Sequence, residues 1–374
     1  MVKNLLKNYI YPIIALVGGV VGVGFLSLPY ITLQVGIWPM LFYFITLTGL
    51  MLFINLIFVK ISLKTPDFKR FPGFVGFYLG KSAKKFTLAM VIFGSFGVLL
   101  AYLFVGASFL SNVLSPLIGE HFGFSLILYF AAASLMVYFG PKASAKLALW
   151  GMGLLLLVLV LVFAVGLPQI KLANIFISNA DFTASNLFLP YGAILFSLWG
   201  TGMIPVAEEM LGHKKKMLKK IVAISTLLVA GLYLFFIVLI LGISGGQTTE
   251  SALTGLAHFL PPIVSLLTVA IGVITTFIAF IFQGIFLKEV FMYDMKVERF
   301  TAWVFTCFTP LVLFFLGFNS FISLISFVGG VLLGINGILI LAMYKEIGGK
   351  NRVIYPLVVV FVIGIVYSIV YFVK

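Results

Sequence analysis

Val17-Gly18-Gly19-Val20-Val21-Gly22-Val23-Gly24-Phe25-Leu26-Ser27-Leu28-Pro29 decides how this chain folds. The stretch lies inside an apolar run from about residue 9 to residue 33, long enough to cross the ~30 Å hydrocarbon layer of a bilayer as a helix. Four residues between 18 and 24 are glycine. A glycine inside a helix costs up to about 1 kcal/mol relative to alanine, so this helix is weakest near its middle. Unwound backbone at that depth persists only where it is buried in protein or lines a polar cavity. The glycines taken alone allow two readings. They let two helix backbones pack closely, or they open the helix, so that freed amides and the positive end of the outer half-helix hold a carboxylate while freed carbonyls hold a cation.

A second stretch tips that balance. Phe196-Ser197-Leu198-Trp199-Gly200-Thr201-Gly202-Met203-Ile204-Pro205 interrupts another apolar run with polar residues, glycine and proline at mid-membrane. Apolar windows separated by charged or Pro/Gly breaks predict eleven helices, near 9–33, 36–62, 86–115, 121–140, 143–167, 187–212, 217–243, 260–288, 299–317, 321–344 and 353–373. The expected fold is an all-α membrane protein of eleven transmembrane helices in a single domain, 1–374. Five spans fill 9–167 and five fill 187–344, and the odd count inverts the second half relative to the first; 353–373 is an additional C-terminal helix. Helices one and six, which open the two halves, are the broken ones. Paired interruptions at corresponding places of a five-plus-five inverted repeat mark the binding site of a secondary transporter.

Composition agrees. The chain is 63% hydrophobic and 9% charged, with a mean hydropathy of +1.25, against roughly 25% charged residues in soluble domains. The net charge of +14 does not indicate nucleic acid, because the basic residues sit between apolar segments rather than on one aromatic-studded face. With the N-terminus cytoplasmic, every Lys and Arg except Lys171 and Lys374 falls on or at the boundary of the cytoplasmic side, and the C-terminus is extracytoplasmic. The densest clusters are Lys69–Arg70, Lys81–Lys84–Lys85, Lys214–Lys215–Lys216 and Lys219–Lys220, placed to meet anionic lipid headgroups of the cell membrane. Lys3 and Lys7 before an apolar run imitate a secretory signal, but no small-residue cleavage site follows, so the run is read as a retained span. Residues 64–85 predict a short interfacial helix, and 246–262 an outer lid segment. Cys307 is the only cysteine, which excludes an intrachain disulfide and a thiolate cluster. No His-Glu-x-x-His, paired intramembrane carboxylate or phosphate-cradling loop suggests an enzyme.

The breaks also carry a family resemblance. Gly22-Val23-Gly24-Phe25-Leu26-Ser27-Leu28-Pro29-Tyr30, Ala101-Tyr102, Gly200 through Pro205 to Glu208-Glu209, and Ser326-Phe327-Val328-Gly329-Gly330 resemble the amino acid/auxin permease family, whose relatives include the bacterial tyrosine and tryptophan permeases, in the amino acid–polyamine–organocation superfamily. The resemblance implies the leucine-transporter-like fold and a small-molecule amino acid substrate held between broken spans one and six. It would place backbone at Gly22 and Gly24 on the carboxylate, carbonyls near Ser197 and Gly200 on the ammonium, Tyr102 beside the carboxylate, and Phe25 and Trp199 at the side-chain pocket. It implies no cofactor beyond a coupling ion, and a monomer or weak oligomer in the bilayer. Transport and sensing without transport both remain readings of such a site.

For the ion, the resemblance pairs the carbonyls of Gly18 and Val21 with the Gly272 carbonyl and the hydroxyls of Thr275 and Thr276 as a Na+ site. Oxygen ligands suit a small hard cation. The alternative is that both threonines bond back to carbonyls of their own helix. Proton coupling is the rival, through Lys146 of span five, although it and Lys142 sit where lysines snorkel to the interface. Glu208 and Glu209 near His213 are either an inner ion-pair gate or boundary charges, and His121 and His258 fall in outer loops without a ligand set.

Overall fold

The structure, a computed structural model, describes residues 9–66, 70–119, 121–139, 153–154, 157–158, 160–179 and 188–373. Among the described residues it contains helices and no strand. The first helix, α1 (Tyr11–Val20), stops at the glycine-rich stretch. Its last bond runs from the Val21 amide to the Val17 carbonyl at 2.9 Å, after which Val21 and Gly22 are extended. A tight turn over Val23–Ser27 restarts the helix, and α2 (Leu28–Val35) completes it. Pro29 occupies the first turn of α2, where a missing N–H costs nothing. The two arms are bent by 55°.

The following helices are α3 (Ile37–Lys64), α4 (Phe71–Leu79), α5 (Lys81–Ile118) and α6 (Phe122–Phe139). The second interruption separates α7 (Leu189–Leu198) from α8 (Ile204–Leu211). Then come α9 (Leu218–Ser244), α10 (Pro262–Glu289), α11 (Arg299–Phe315), α12 (Phe321–Phe327), α13 (Gly334–Glu346) and α14 (Asn351–Val373). The expected interfacial helix in 64–85 is α4. The segment 246–262, expected as a lid, holds two short turns, Gly245–Gln247 and Thr254–His258, with Ala252 and Leu253 buried between them and Leu256 buried in the second. Burial there also pushes the Glu250 carboxyl above its ordinary range.

Among the described residues fewer than the eleven expected spans are seen: eight helices are long and apolar enough to cross a membrane, and the bent α1–α2 pair makes up to nine. Window 299–317 contains only the 17-residue α11, about 26 Å long, because the chain turns at Gly317, whose φ of +100° is a left-handed conformation. In window 143–167 the longest apolar helix described is Val160–Gln169. Lys146, the residue read for proton coupling, and Lys142 lie outside the described residues.

Side chains gather into two large apolar cores. One joins α1, α2, α3, α7, α8 and α9 around Phe25, Ile54, Ile194, Ile204, Tyr233 and Phe236, and reaches α5 through Ala101, Val105 and Phe109 and α10 through Val269. The other joins α5, α6, α10 and α11 around Leu103, Tyr129, Phe280, Ala302 and Cys307. Small residues set the spacing in the second core. A Cβ at Gly106 would run into the Tyr129 ring, and one at Gly284 would meet Val137. Tyr102 and Val273 pack against both cores and so mark their seam.

The C-terminal end of α6 shows how the second core is fastened. The last carbonyls of a helix lack intrahelical partners, and here neighbouring side chains supply them. Lys288, buried near the end of α10, donates to the carbonyls of Val137 and Tyr138; Arg299 donates to Tyr138 at 3.0 Å, and Trp303 Nε1 to the Ser134 carbonyl at 2.8 Å. Charge-assisted bonds of this kind contribute about 1.5–3 kcal/mol. Lys288→Met is therefore expected to lower thermal stability of the purified protein by that amount, whereas Lys81→Met, at an exposed helix start, leaves it unchanged; equal melting curves for the two variants would refute the fastening role.

Candidate functional site

The two interruptions meet face to face. A Cβ at Gly24 would collide with the Phe196 ring and lie 2.8 Å from Ser197 Oγ, and one at Gly200 would lie 2.9 Å from Val20 Cγ2. Glycine is required at both places by this close approach. It is not required by backbone conformation, since neither Gly24 nor Gly200 (φ −115°) has a positive φ. Gly22 faces the other core: a Cβ there would lie 2.9 Å from the Tyr102 hydroxyl, which also reaches the Val23 backbone. The amides of Gly22, Val23 and Gly24 head the new helical turn, where no preceding turn can accept their hydrogens. With Tyr102 they form a small, partly buried, donor-rich corner at the seam of the two cores.

Carbonyls freed by the breaks converge on one hydroxyl. Tyr233 of α9 donates to the carbonyl of Val20 at 3.3 Å and to that of Ser197 at 3.1 Å, so a single O–H ties both interruptions to span seven. Its ring stacks on Phe25 with centroids 5.3 Å apart and planes 3° from parallel, and Phe236 meets Phe25 edge-on at 4.7 Å. Phe25 is thus enclosed by α9. Ser197 Oγ bonds back to Ala193, and the Gly200 carbonyl accepts from the Met203 amide at 3.1 Å. The Ser197 and Gly200 carbonyls each retain a second lone pair for an ammonium. Trp199 is half-buried beside them.

Behind the breaks, α3 and α9 add buried polar groups. Asn55 Nδ2 donates to Thr226 Oγ1 at 3.3 Å, while Asn55 Oδ1 and Ser225 Oγ have no partner. They border a cavity of about 10 Å³ lined also by Val20 and Gly200, about the space of one water molecule. Farther along α8, Glu208 is buried, accepts a hydrogen bond from Ser62 of α3 and pairs with Lys215 at 2.8 Å; Glu209 is exposed. Glu208 thus bonds to two neighbouring segments and is no free boundary charge.

The model of one protein family, the tryptophan/tyrosine permease family, matches residues 7–370. The chain belongs to that family. The resemblance read from the break motifs is borne out, and the family is one of membrane transporters, not enzymes. No curated protein sequence matches this permease significantly. Among solved structures it is similar to MhsT in complex with L-phenylalanine, with a TM-score of 0.63 and 16% identity over 97% of both chains. It is also similar to Mhp1, a nucleobase-cation-symport-1 family transporter. The closed form with bromovinylhydantoin bound gives a TM-score of 0.63 at 12% identity, and the inward-facing form 0.64 at 11%, each over 96% of this chain and 89% of that one. At such identities the likeness concerns the fold.

The residues expected to hold Na+ fall into two groups. Thr275 Oγ1 donates to the Gly272 carbonyl at 3.0 Å, and Thr276 Oγ1 to the carbonyls of Gly272 and Val273 at 2.9 and 3.0 Å, which is the back-bonded arrangement. A Cβ at Gly272 would first meet Phe109 and Leu253. Gly18 and Val21 are half-buried at the end of α1. Among the described residues no group of three or more His, Cys, Asp or Glu side chains could hold a metal ion.

Tyr233 and Asn55 were not singled out from the sequence. Each sits in an apolar span, and only a tyrosine or asparagine without an interfacial position hinted at a buried polar role. Two measurements probe the corner they support. Tyr233→Phe keeps the ring stack but strips both freed carbonyls of their donor, and is expected to cost about 1–3 kcal/mol of stability with weaker substrate binding in the same assay. In a double-mutant cycle, Gly22→Ala is expected to destabilise the permease in the presence of the Tyr102 hydroxyl and less so beside Tyr102→Phe, with a coupling of about 0.5–3 kcal/mol; strictly additive melting shifts would show that the two do not touch.

Proposed function

We propose that this permease moves an aromatic amino acid across the membrane by alternating access, in symport with a cation, through the paired breaks of spans one and six. The observation that carries the reading is the corner where the Gly22–Val23 backbone and the Tyr102 hydroxyl face one another at the seam of the two cores. Donors there suit a carboxylate, and the remaining lone pairs at Ser197 and Gly200 suit an ammonium, so the breaks match the two charged ends of an α-amino acid. Phenylalanine in the MhsT complex and the name of the family favour an aromatic side chain, for which Trp199 supplies a half-buried wall. In this reading alternating access is a rocking of packed units about the site, to which a five-plus-five inverted repeat would give two equivalent end states.

Na+ at Gly18, Val21, Gly272, Thr275 and Thr276 is the first ion reading. Proton coupling is the second, favoured by the back-bonding of both threonine hydroxyls. Purified protein in liposomes separates them. Labelled tryptophan, tyrosine or phenylalanine is expected to accumulate under an inward cation gradient, and absence of uptake or exchange under both Na+ and H+ gradients would overturn the transport reading. Thr276→Ala is expected to remove stimulation by Na+ about tenfold; undiminished stimulation would remove that site.

A further inference from the structure

The end of the molecule that carries the lysine-rich segments holds a concave basic site unrelated to the breaks. The last turn of α3, the first turn of α9 and the end of α13 enclose a cavity of about 330 Å³ into which Lys60, Lys64 and Lys219 converge, with Tyr344 and the Ile347–Gly348 backbone opposite. No carboxylate lines it. Lys60 Nζ lies 5.5 Å from the centroid of the Tyr344 ring, and Lys64 Nζ donates to the Ile347 carbonyl at 3.1 Å. Two of the three ammonium groups are thus positioned by α13 without being neutralised. The side-chain ion pairs recorded among the described residues, Arg70–Glu289 and Lys215–Glu208, use other cations.

Three like charges around one hollow repel one another until an anion enters, and each ammonium carries three donors, so most of theirs remain for that anion. The location selects which anion. Lys60 and Lys64 end a membrane-crossing helix, and Tyr344 stands near the end of another, the level at which aromatic and basic residues meet lipid headgroups. Basic pockets between transmembrane helices at this depth take anionic headgroups. Leu63 and Ile347 at the rim add an apolar surface for the start of an acyl chain. We propose that this cavity binds the phosphate headgroup of an anionic membrane lipid.

The test uses the full-length protein in neutral detergent and reads thermal stability against added dioctanoyl phosphatidylglycerol, since a ligand of the folded state raises apparent stability. A saturable rise is expected. The double variant Lys60→Gln, Lys219→Gln is expected to raise the half-saturating concentration at least tenfold, while Lys81→Gln, Lys84→Gln, which removes as many charges from the same end outside the cavity, changes it less than twofold. Equal weakening in both, or an equal response to dioctanoyl phosphatidylcholine, overturns the proposal. Inorganic phosphate saturating at the same concentration as the lipid assigns the cavity to a soluble anion and overturns it too. The substituted lysines are exposed, and melting without lipid shows whether each variant is folded. Native mass spectrometry supplies an independent reading: phosphatidylglycerol retained by the parent and lost from Lys60→Gln, Lys219→Gln supports the site, and equal retention refutes it. Neither measurement depends on transport.

Discussion

A helix broken within an apolar interior leaves carbonyls that no water can reach, and each must find a donor or cost several kcal/mol. In this permease one hydroxyl meets that constraint for a carbonyl of each break. The Tyr233 hydroxyl has a single hydrogen, shared between the Val20 and Ser197 carbonyls, so spans one, six and seven are fixed to one another at the level of both breaks. Phe25 reinforces the arrangement, because its stacking on the same ring pins the restart of span one against span seven. With the carbonyl side satisfied from α9, the amide side of the first break is left facing Tyr102 and the second core. The polarity of the first break follows: its amides turn toward Tyr102, and its Val20 carbonyl toward α9.

The seam runs along α5 and α10, which lend side chains to both cores, Ala101, Val105, Phe109 and Val269 to the first and Leu99, Leu103, Ala107 and Phe280 to the second. The first core is built around the broken helices and the second around α5, α6, α10 and α11, and Tyr102 and Val273 touch both. Within the second core, Gly106 and Gly284 bring helices to near contact, and Lys288, Arg299 and Trp303 hold the end of α6, so that unit is internally tight. A tight unit beside a unit containing two weak helices concentrates compliance at the boundary, which is also where the donor-rich corner lies. Packed cores shift between discrete arrangements more readily than they deform.

Much of this was legible in the sequence, for reasons that differ in kind. Hydropathy and the glycine-rich stretches located the spans and both interruptions, because backbone weakness is written in residue type. The reason for the glycines was legible only in part. At Gly24 and Gly200 a side chain is excluded by Phe196 and Val20, partners distant in sequence, and no local pattern reveals them. Tyr233 could not be recognised for the same reason: its role depends on the rotation of α9 against two other spans. Lys288 closed an apolar window and so resembled a snorkelling boundary charge, yet it is buried against α6. The threonine pair was found, but a hydroxyl that bonds its own helix and one that faces an ion share the same sequence, and only geometry separates them.

Close packing and an opened helix, the two readings that the first glycine stretch allows, are not rivals in this structure. Because Gly24 lacks a side chain, span six approaches until Phe196 and Ser197 sit directly upon span one. That approach brings the Ser197 carbonyl within reach of the hydroxyl that also serves Val20. Were the spans a methyl group farther apart, one phenol could not satisfy both breaks, and at least one helix would have to close again to recover its hydrogen bond. The tight contact is therefore what permits the two interruptions to persist, and the interruptions are what leave the amides of Gly22 to Gly24 without an acceptor in their own helix.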